Sequence, residues 1–472
     1  MDLLRHPGVR RLIGSGRARL FGQLVLLGVA AAVVWHGLFG PQIAPRNLAT
    51  VLTSIHWRGF LIVTLIVAGN LFCTSCPMML VRDAGRRLVS PRWRWPRALR
   101  GKTVGIAALV LVLFSYELFD LWERPVATAG VVLAYFSLAL VVDLVFKGAS
   151  FCRHVCPIGQ FNFVASTMSP LELRVRDITT CQSCGTSDCI RGRADAEVPG
   201  RIARRGCELG LFLPAKVGNL DCTFCFDCVR ACPHDNIALT TRVPGVEWLG
   251  AERRSGLGRL TRRADLAALA AVFTFAALLS AFAMTAPAHA VERWVGEYSP
   301  LRGEGAALAL MFVVALGVLP ALLLTTAAFT TKRVARAQTG LRGITIAFVY
   351  TLVPLGFATW AAHYGFHLLT GVFTVVPVVQ SAAGDLFGSM VLGEPAWRFT
   401  GMRSGLVFPV QVGLVVLGAA GSLSLVWATA RRDYPERQDA AAAPWVVVTL
   451  ALASLALWVL AQPMDMRGMA AG

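Results

Sequence analysis

Twelve cysteines carry the chemistry legible in this chain, and eight of them fall between residues 181 and 232 at intervals that suit metal clusters. The tightest run is Cys222-x2-Cys225-x2-Cys228-x3-Cys232-Pro233. Thiolates so spaced wrap an iron–sulfur cubane, and the fourth cysteine, before its proline, is carried far enough to ligate a different cluster. Upstream, Cys181-x2-Cys184-x4-Cys189 is followed, after an Arg/Gly/Ala-rich insertion, by Cys207. Cross-ligation pairs Cys181, Cys184 and Cys189 with Cys232, and Cys222, Cys225 and Cys228 with Cys207, which predicts two [4Fe–4S] clusters. The upstream set departs from the usual two-cluster spacing: its second gap is four residues long, and Glu208 follows Cys207 where a proline is expected. Zinc also takes paired CxxC units, and disulfides would need an oxidising compartment. Eight cysteines in this order favour iron and sulfide over both.

The other four cysteines suggest a third centre. Cys73-x2-Cys76-Pro77 and Cys152-x3-Cys156-Pro157 close two weakly similar segments, each following a pair of apolar stretches, and read as a parallel internal repeat. One thiol pair from each repeat would complete four sulfur ligands for a third cluster, [4Fe–4S] or [2Fe–2S]. Redox-active dithiols, or thiols that only pack, are the alternatives. The prolines are expected to stop the helices there and free backbone amides for the sulfurs.

The elements that must position these thiols are read from hydropathy. Of 472 residues, 56% are hydrophobic and only 15% charged, and the mean hydropathy is +0.60, too apolar for a soluble globule. About 20 apolar residues cross ~30 Å of hydrocarbon, and such stretches recur at 20–39, 59–80, 103–121, 126–146, 264–285, 305–329, 342–362, 405–428 and 445–461, nine spans in all. The first follows a basic amino end without a small-residue cleavage site after it, and is expected to be a retained anchor. Arginine-dense loops at 82–102, 332–342 and 431–437 alternate with loops of low positive charge at 40–57, 122–125, 286–304 and 370–404. The positive-inside rule then puts the amino end in the cytoplasm, the carboxyl end outside, and the polar segment of about 150–262 in the cytoplasm of an inner-membrane protein. The expected division is a membrane part at 1–150, a two-cluster part with a basic linker at 151–262, and five further spans at 263–472 that hold no cysteine.

A net charge of +18 suggests a nucleic-acid ligand, but it is spread over membrane-flanking loops instead of one basic face, so nucleic acid is not expected. Arg191, Arg193, Arg201, Arg204 and Arg205 crowd the insertion beside the cysteines. They could steer an acidic ferredoxin or flavodoxin to the site, or simply offset cluster charge. In the apolar half, His363-x3-His367 share one helical face, with His36, His56, Glu117 and Asp120 expected at similar depth. Such groups could bind a quinone and relay its protons, ligate a metal, or sit at the headgroups. His154 and His234 could bond a cluster sulfur or face solvent, and Trp93 and Trp95 read as an interfacial belt. No P-loop, Rossmann fingerprint or Ser/His/Asp order stands out.

Cys152 to Pro157, its shortened counterpart Cys73 to Pro77, and the two-cluster run after them resemble the polyferredoxin-like membrane proteins of the NapH, NosR, MauN and CcoG (FixG) group, over about residues 60–240. The resemblance implies electron transfer at the cytoplasmic membrane, often from quinol toward a periplasmic reductase or a metal centre under assembly. The expectation is a polytopic all-α membrane protein with an inserted α+β ferredoxin-like domain. It would pass electrons between a cytoplasmic carrier or flavoprotein and the quinone pool or a membrane partner subunit. A metal-centre maturation factor and a membrane redox sensor are the rival expectations.

Overall fold

The computed structural model describes residues 2–195, 202–250, 252–298 and 303–463. Helix dominates, as lipid demands, because each backbone N–H and C=O must find its partner within its own segment. Among the described residues, eight helices are long and apolar enough to cross a membrane: Arg17–Phe39, Leu48–Ala68, Pro125–Val145, Ala264–Phe282, Glu304–Val334, Leu341–Gly371, Ser404–Asp433 and Pro435–Leu460. The remaining apolar stretch forms the shorter helix Thr103–Leu118. The chain is a polytopic helical membrane protein.

Two boundaries differ from the sequence expectation. The second span is Leu48–Ala68 and not 59–80. Asn47 caps its start through Ala49 N–H, and the left-handed Gly69 (φ +68°) ends it. A Cβ on Gly69 would lie 2.9 Å from Ser169 Oγ, so both the dihedral and the close approach require glycine there. Cys73 and Cys76 therefore follow the span, in the short helix Leu71–Thr74 and at the start of the helix Pro77–Leu88. The expected loop at 370–404 also holds a helix, Val375–Phe387, closed by the left-handed Gly388.

The chain divides into two compact units. The first comprises Met1–Val29, Thr64–Ala108 and Phe136–Leu266. It holds all twelve cysteines and an antiparallel strand pair, Leu171–Val175 against Ile237–Thr241, in the register Leu171↔Thr241 to Val175↔Ile237. Alternation sends Leu173, Ile237 and Leu239 into a core shared with Leu4, Leu213, Phe224, Phe226 and Cys228, so a cysteine of the tight run is itself core. The turn before that run is held by the fully buried Glu247, which accepts from Asn219 N–H (2.7 Å) and Leu220 N–H (3.1 Å) and pairs with Arg242.

The second unit comprises Ala30–Val63, Leu109–Tyr135 and Ala267–Gly472. Its centre is Leu341–Gly371 against Ser404–Asp433. A Cβ on Gly418 would meet Ala358 Cβ at 2.3 Å, so the two helices touch through small residues. One turn on, Ser422 Oγ accepts the N–H of Leu355 (3.0 Å), just after the 3-10 turn Tyr350–Leu352. Trp445 stacks on Phe348 (centroids 4.9 Å apart) and donates to Thr331.

Candidate metal centres

Four thiols line one cavity of the first unit: Cys207, Cys222, Cys225 and Cys228, with Leu173, Leu211, Leu213 and Phe226 around them. The local fold explains the geometry. Left-handed conformations at Asp221, Phe224 and Phe226 curl the run back on itself, so that the amides of Phe224 and Asp227 favour the thiolates of Cys222 and Cys225. Successive amides aimed inward form an anion-binding nest. Cys207 arrives by a different route: Arg193–Ala194 and Ile202–Arg204 pair antiparallel, and Cys207 N–H then bonds Cys189 O at 2.9 Å. Gly206 permits this return, since a Cβ there would lie 2.5 Å from Gly192 N.

A second cavity is lined by Cys181, Cys184, Cys189 and Cys232, with Pro233, His234 and Asn236. Asp177 caps the helix Ile178–Gln182, which carries Cys181, by accepting from Thr179 and Thr180. The Thr179 and Thr180 hydroxyls hold the Asp177 carboxyl well below the usual carboxylate range. Asn236 bridges two ligand candidates, its backbone N–H on Cys232 Sγ (3.4 Å) and its Nδ2 on Cys181 Sγ (3.3 Å). Cys184 is the most acidic of the shifted thiols, lowered to about 7 by the amide of Ser187 and by Thr186, with His234 contributing a further hydrogen bond.

The last four cysteines occupy matched positions. Cys76 and Cys156 are each the residue before a helix that opens with proline, Pro77–Leu88 and Pro157–Ala165. Pro77 and Pro157 thus start helices. At the second, Gly159 N–H donates to Cys156 Sγ at 3.0 Å; at the first, Cys76 makes no such capping bond, though the amides of Met78 and Met79 favour its thiolate. A helix N-terminus favours a thiolate by its dipole as well. Cys152 lies in the π-helical turn Phe151–Val155, and Asn162 Nδ2 donates to Cys73 Sγ at 3.4 Å. Cys76 and Cys156 act electrostatically on both Cys73 and Cys152, so the four form one group. Burial pushes Cys73, Cys76 and Cys152 up, as it does Cys225 and Cys228. A soft cation with inorganic sulfide is the kind of occupant that would drive such thiols to ionise. All twelve cysteines are free; among the described residues no three of them form a set that could hold a single metal ion, whereas a cluster takes its thiolates one per iron and so at wider spacing.

Comparison with known proteins finds ferredoxin-type relatives over part of the chain. The chain is 28% identical over 215 residues to the ferredoxin-type protein NapH of Haemophilus influenzae, covering 43% of this chain and 72% of that one. The chain is similar to ferredoxin-type membrane proteins of the NapH group. It is also 26% identical to the methylamine utilization ferredoxin-type protein MauN of Methylobacillus flagellatus, covering 35% of this chain and 65% of that one. The regulatory protein NosR of Pseudomonas aeruginosa is 27% identical, covering 44% of this chain and 29% of NosR. No family model matches, and no solved structure does. Electron transport through a membrane-bound, ferredoxin-type chain is what the NapH likeness supports.

Beyond the thiols, the histidine candidates separate. In the second unit His363 is fully buried, with neither ring nitrogen bonded among the described residues, and its ring meets edge-on, at 5.1 Å, that of His367, whose Nε2 likewise finds no partner among them. Arg58 lies over Tyr116 (3.8 Å) and near Tyr364 (5.3 Å), and its charge reaches His363, His367 and Glu117. His36 is not part of this group: its Nδ1 accepts from Leu48 N–H and its Nε2 bonds Asp385 at 3.1 Å. His56 bonds the carbonyls of Val51 and Val372, and Asp120 sits in the left-handed turn after Thr103–Leu118. Arg58 and Tyr116 were missed in the sequence, where a cation and a ring from different spans leave no local signal. Trp95 stacks on His154 (5.2 Å, 6°), which is buried, and burial lowers that imidazole to about 4. Of the arginine patch, Arg191, Arg193, Arg204 and Arg205 are exposed, Arg205 pairs with Asp83 at 2.7 Å, and Arg201 lies outside the described residues.

Proposed function

We propose that this protein is an inner-membrane iron–sulfur electron carrier that passes electrons between a cytoplasmic ferredoxin, flavodoxin or flavoprotein and the quinone pool or a membrane redox partner. The observation that carries the reading is the sorting of the ferredoxin-type cysteines into two cavities of four, each drawing one cysteine from the other's stretch of chain. Bound there, two [4Fe–4S] clusters would supply one-electron chemistry, and Cys73, Cys76, Cys152 and Cys156 would hold a third cluster. The chain's own part is to fix the thiolates, donate amides to their sulfurs and exclude water with Phe224, Phe226 and Leu213. Arg191, Arg193 and Arg204 would steer an acidic donor to the cytoplasmic side. In the apolar half, His363 and His367 beside Arg58 and Glu117 would receive a quinone headgroup and move its protons.

Iron and acid-labile sulfide per chain, measured on anaerobically purified protein, test the reading. Eight irons support two clusters, and ten or twelve a third. Substituting Cys232→Ser should remove the cluster held by Cys181, Cys184 and Cys189 and spare that of its own run. A colourless, sulfide-free preparation refutes the proposal.

A further inference from the structure

Arg82 is among the largest fully buried side chains, 2% exposed, on the helix that Cys76 opens. Its Nη2 bonds Asp83 (2.7 Å) and pairs with Glu208 (2.8 Å), the residue after Cys207. Its Nη1 is buried with no hydrogen-bond acceptor among the described residues, 4.0 Å from Asp143 Oδ2. The other oxygen of Asp143, Oδ1, accepts the N–H of Phe151, next to Cys152, at 2.8 Å. Arg86 and Arg205 complete the network. Three guanidiniums and three carboxylates cancel, so the assembly brings no net charge. What it brings is a rigidly held donor left over.

Leaving a guanidinium N–H buried without an acceptor is costly, and the arginine adjoins both thiol pairs: it stands on the helix that Cys76 opens, and Asp143 beside it holds the amide of Phe151, next to Cys152. We propose that Arg82 is the positioning residue that tunes the Cys73/Cys76/Cys152/Cys156 centre, its unused guanidinium N–H serving a sulfur of that centre and making it easier to reduce. This rests on the third-cluster reading given above. Hydrogen bonds to cluster sulfurs raise reduction potential, and a charge-assisted bond is worth roughly tenfold or more in an equilibrium. The tie to Glu208 also couples the donor to the loop that delivers Cys207.

The test is a redox titration of full-length protein followed by EPR, on wild type, Arg82→Gln and Asp83→Asn. Arg82→Gln is expected to lower the reduced-to-oxidised ratio of this centre about tenfold at fixed ambient potential, about 59 mV for a one-electron couple. Asp83→Asn, which strips a counter-charge from Arg82 and touches no thiol, is expected to move it the other way. A structural role alone would cost iron in both variants and raise the potential in neither. If Arg82→Gln fails to assemble, the direction of the Asp83→Asn shift decides. A third signal present in wild type, lost in Cys73→Ser, and unmoved by either variant overturns the assignment of Arg82 alone. Eight irons in wild type overturn the third centre and this inference with it.

Discussion

Lys102 offers the sharpest stability test, because its partner adjoins a cluster ligand. Its ammonium pairs with Asp221, the left-handed residue before Cys222, and the two side chains are 4% and 7% exposed. Replacing Lys102 by Met keeps a stem that can cover the Phe163 ring but strands a buried carboxylate. Breaking such a pair costs ~3–5 kcal/mol. A stranded carboxylate can escape by taking a proton, which from an ordinary pKa of ~3.9 costs at most about 4 kcal/mol at pH 7. The penalty is then about 3–4 kcal/mol, and where iron leaves through opening of this turn, release to a chelator should quicken by roughly two to three powers of ten. At pH 5 the proton costs only about 1.5 kcal/mol, so the acceleration should shrink to roughly tenfold. The double variant Lys102→Met/Asp221→Asn removes both charges, and asparagine tolerates the left-handed backbone. It should restore most of the wild-type rate. A Lys102→Met defect that does not shrink on acidification, or a double variant worse than the single one, would refute the reasoning.

Other outcomes follow from the same geometry. Cys207→Ser should cost the EPR signal of the Cys222/Cys225/Cys228 cluster while the Cys181 set keeps its own; loss of both signals together would mean that the sets are not independent. Asp177→Ala removes the cap on the helix bearing Cys181 and should speed iron loss from that cluster alone. Because the Asp177 carboxyl is depressed in the fold, its stabilising effect is present above ~4 and fades only as pH falls toward the depressed value. The difference between wild type and Asp177→Ala should therefore be flat from pH 8 to 5, and a slope in that window would count against it. His363→Leu trades a buried imidazole without partners for an apolar side chain, so thermal stability should hold or rise by about 1–3 kcal/mol, while reoxidation of reduced protein by a soluble quinone should fall at least about tenfold. Unchanged reoxidation would remove His363 from the acceptor site.

What was legible in the sequence is what spacing dictates locally. Cysteine intervals grouped Cys232 and Cys207 with the opposite runs, and the structure brings each beside those partners. Apolar length located most spans. The second span slipped because Asn47, His56 and Arg58 lower the hydropathy of its first half, so the apolar window slid toward Cys76. The fold accepts Arg58 there by laying it over Tyr116, a contact between separate spans. His36 failed for a related reason: depth along a helix was legible, but the face it turns, here to Asp385, was not. Trp95 looked interfacial among its arginines, and only tertiary structure sets it against His154. Pro77 and Pro157 were read as helix stops, though a proline suits the first turn of a helix equally well.

The contact of Asp2 with Thr240, and the burial of Leu4 among Leu173, Phe224 and Ile237, imply an order of assembly. Residues 2–4 leave the ribosome more than two hundred residues before Thr240 does, and contacts of such long range are slow to form. Several helices have to enter the bilayer while the amino-terminal segment waits undocked. An affinity tag fused at that end would compete with this late docking step, so expression with the tag moved elsewhere should recover more cofactor per chain.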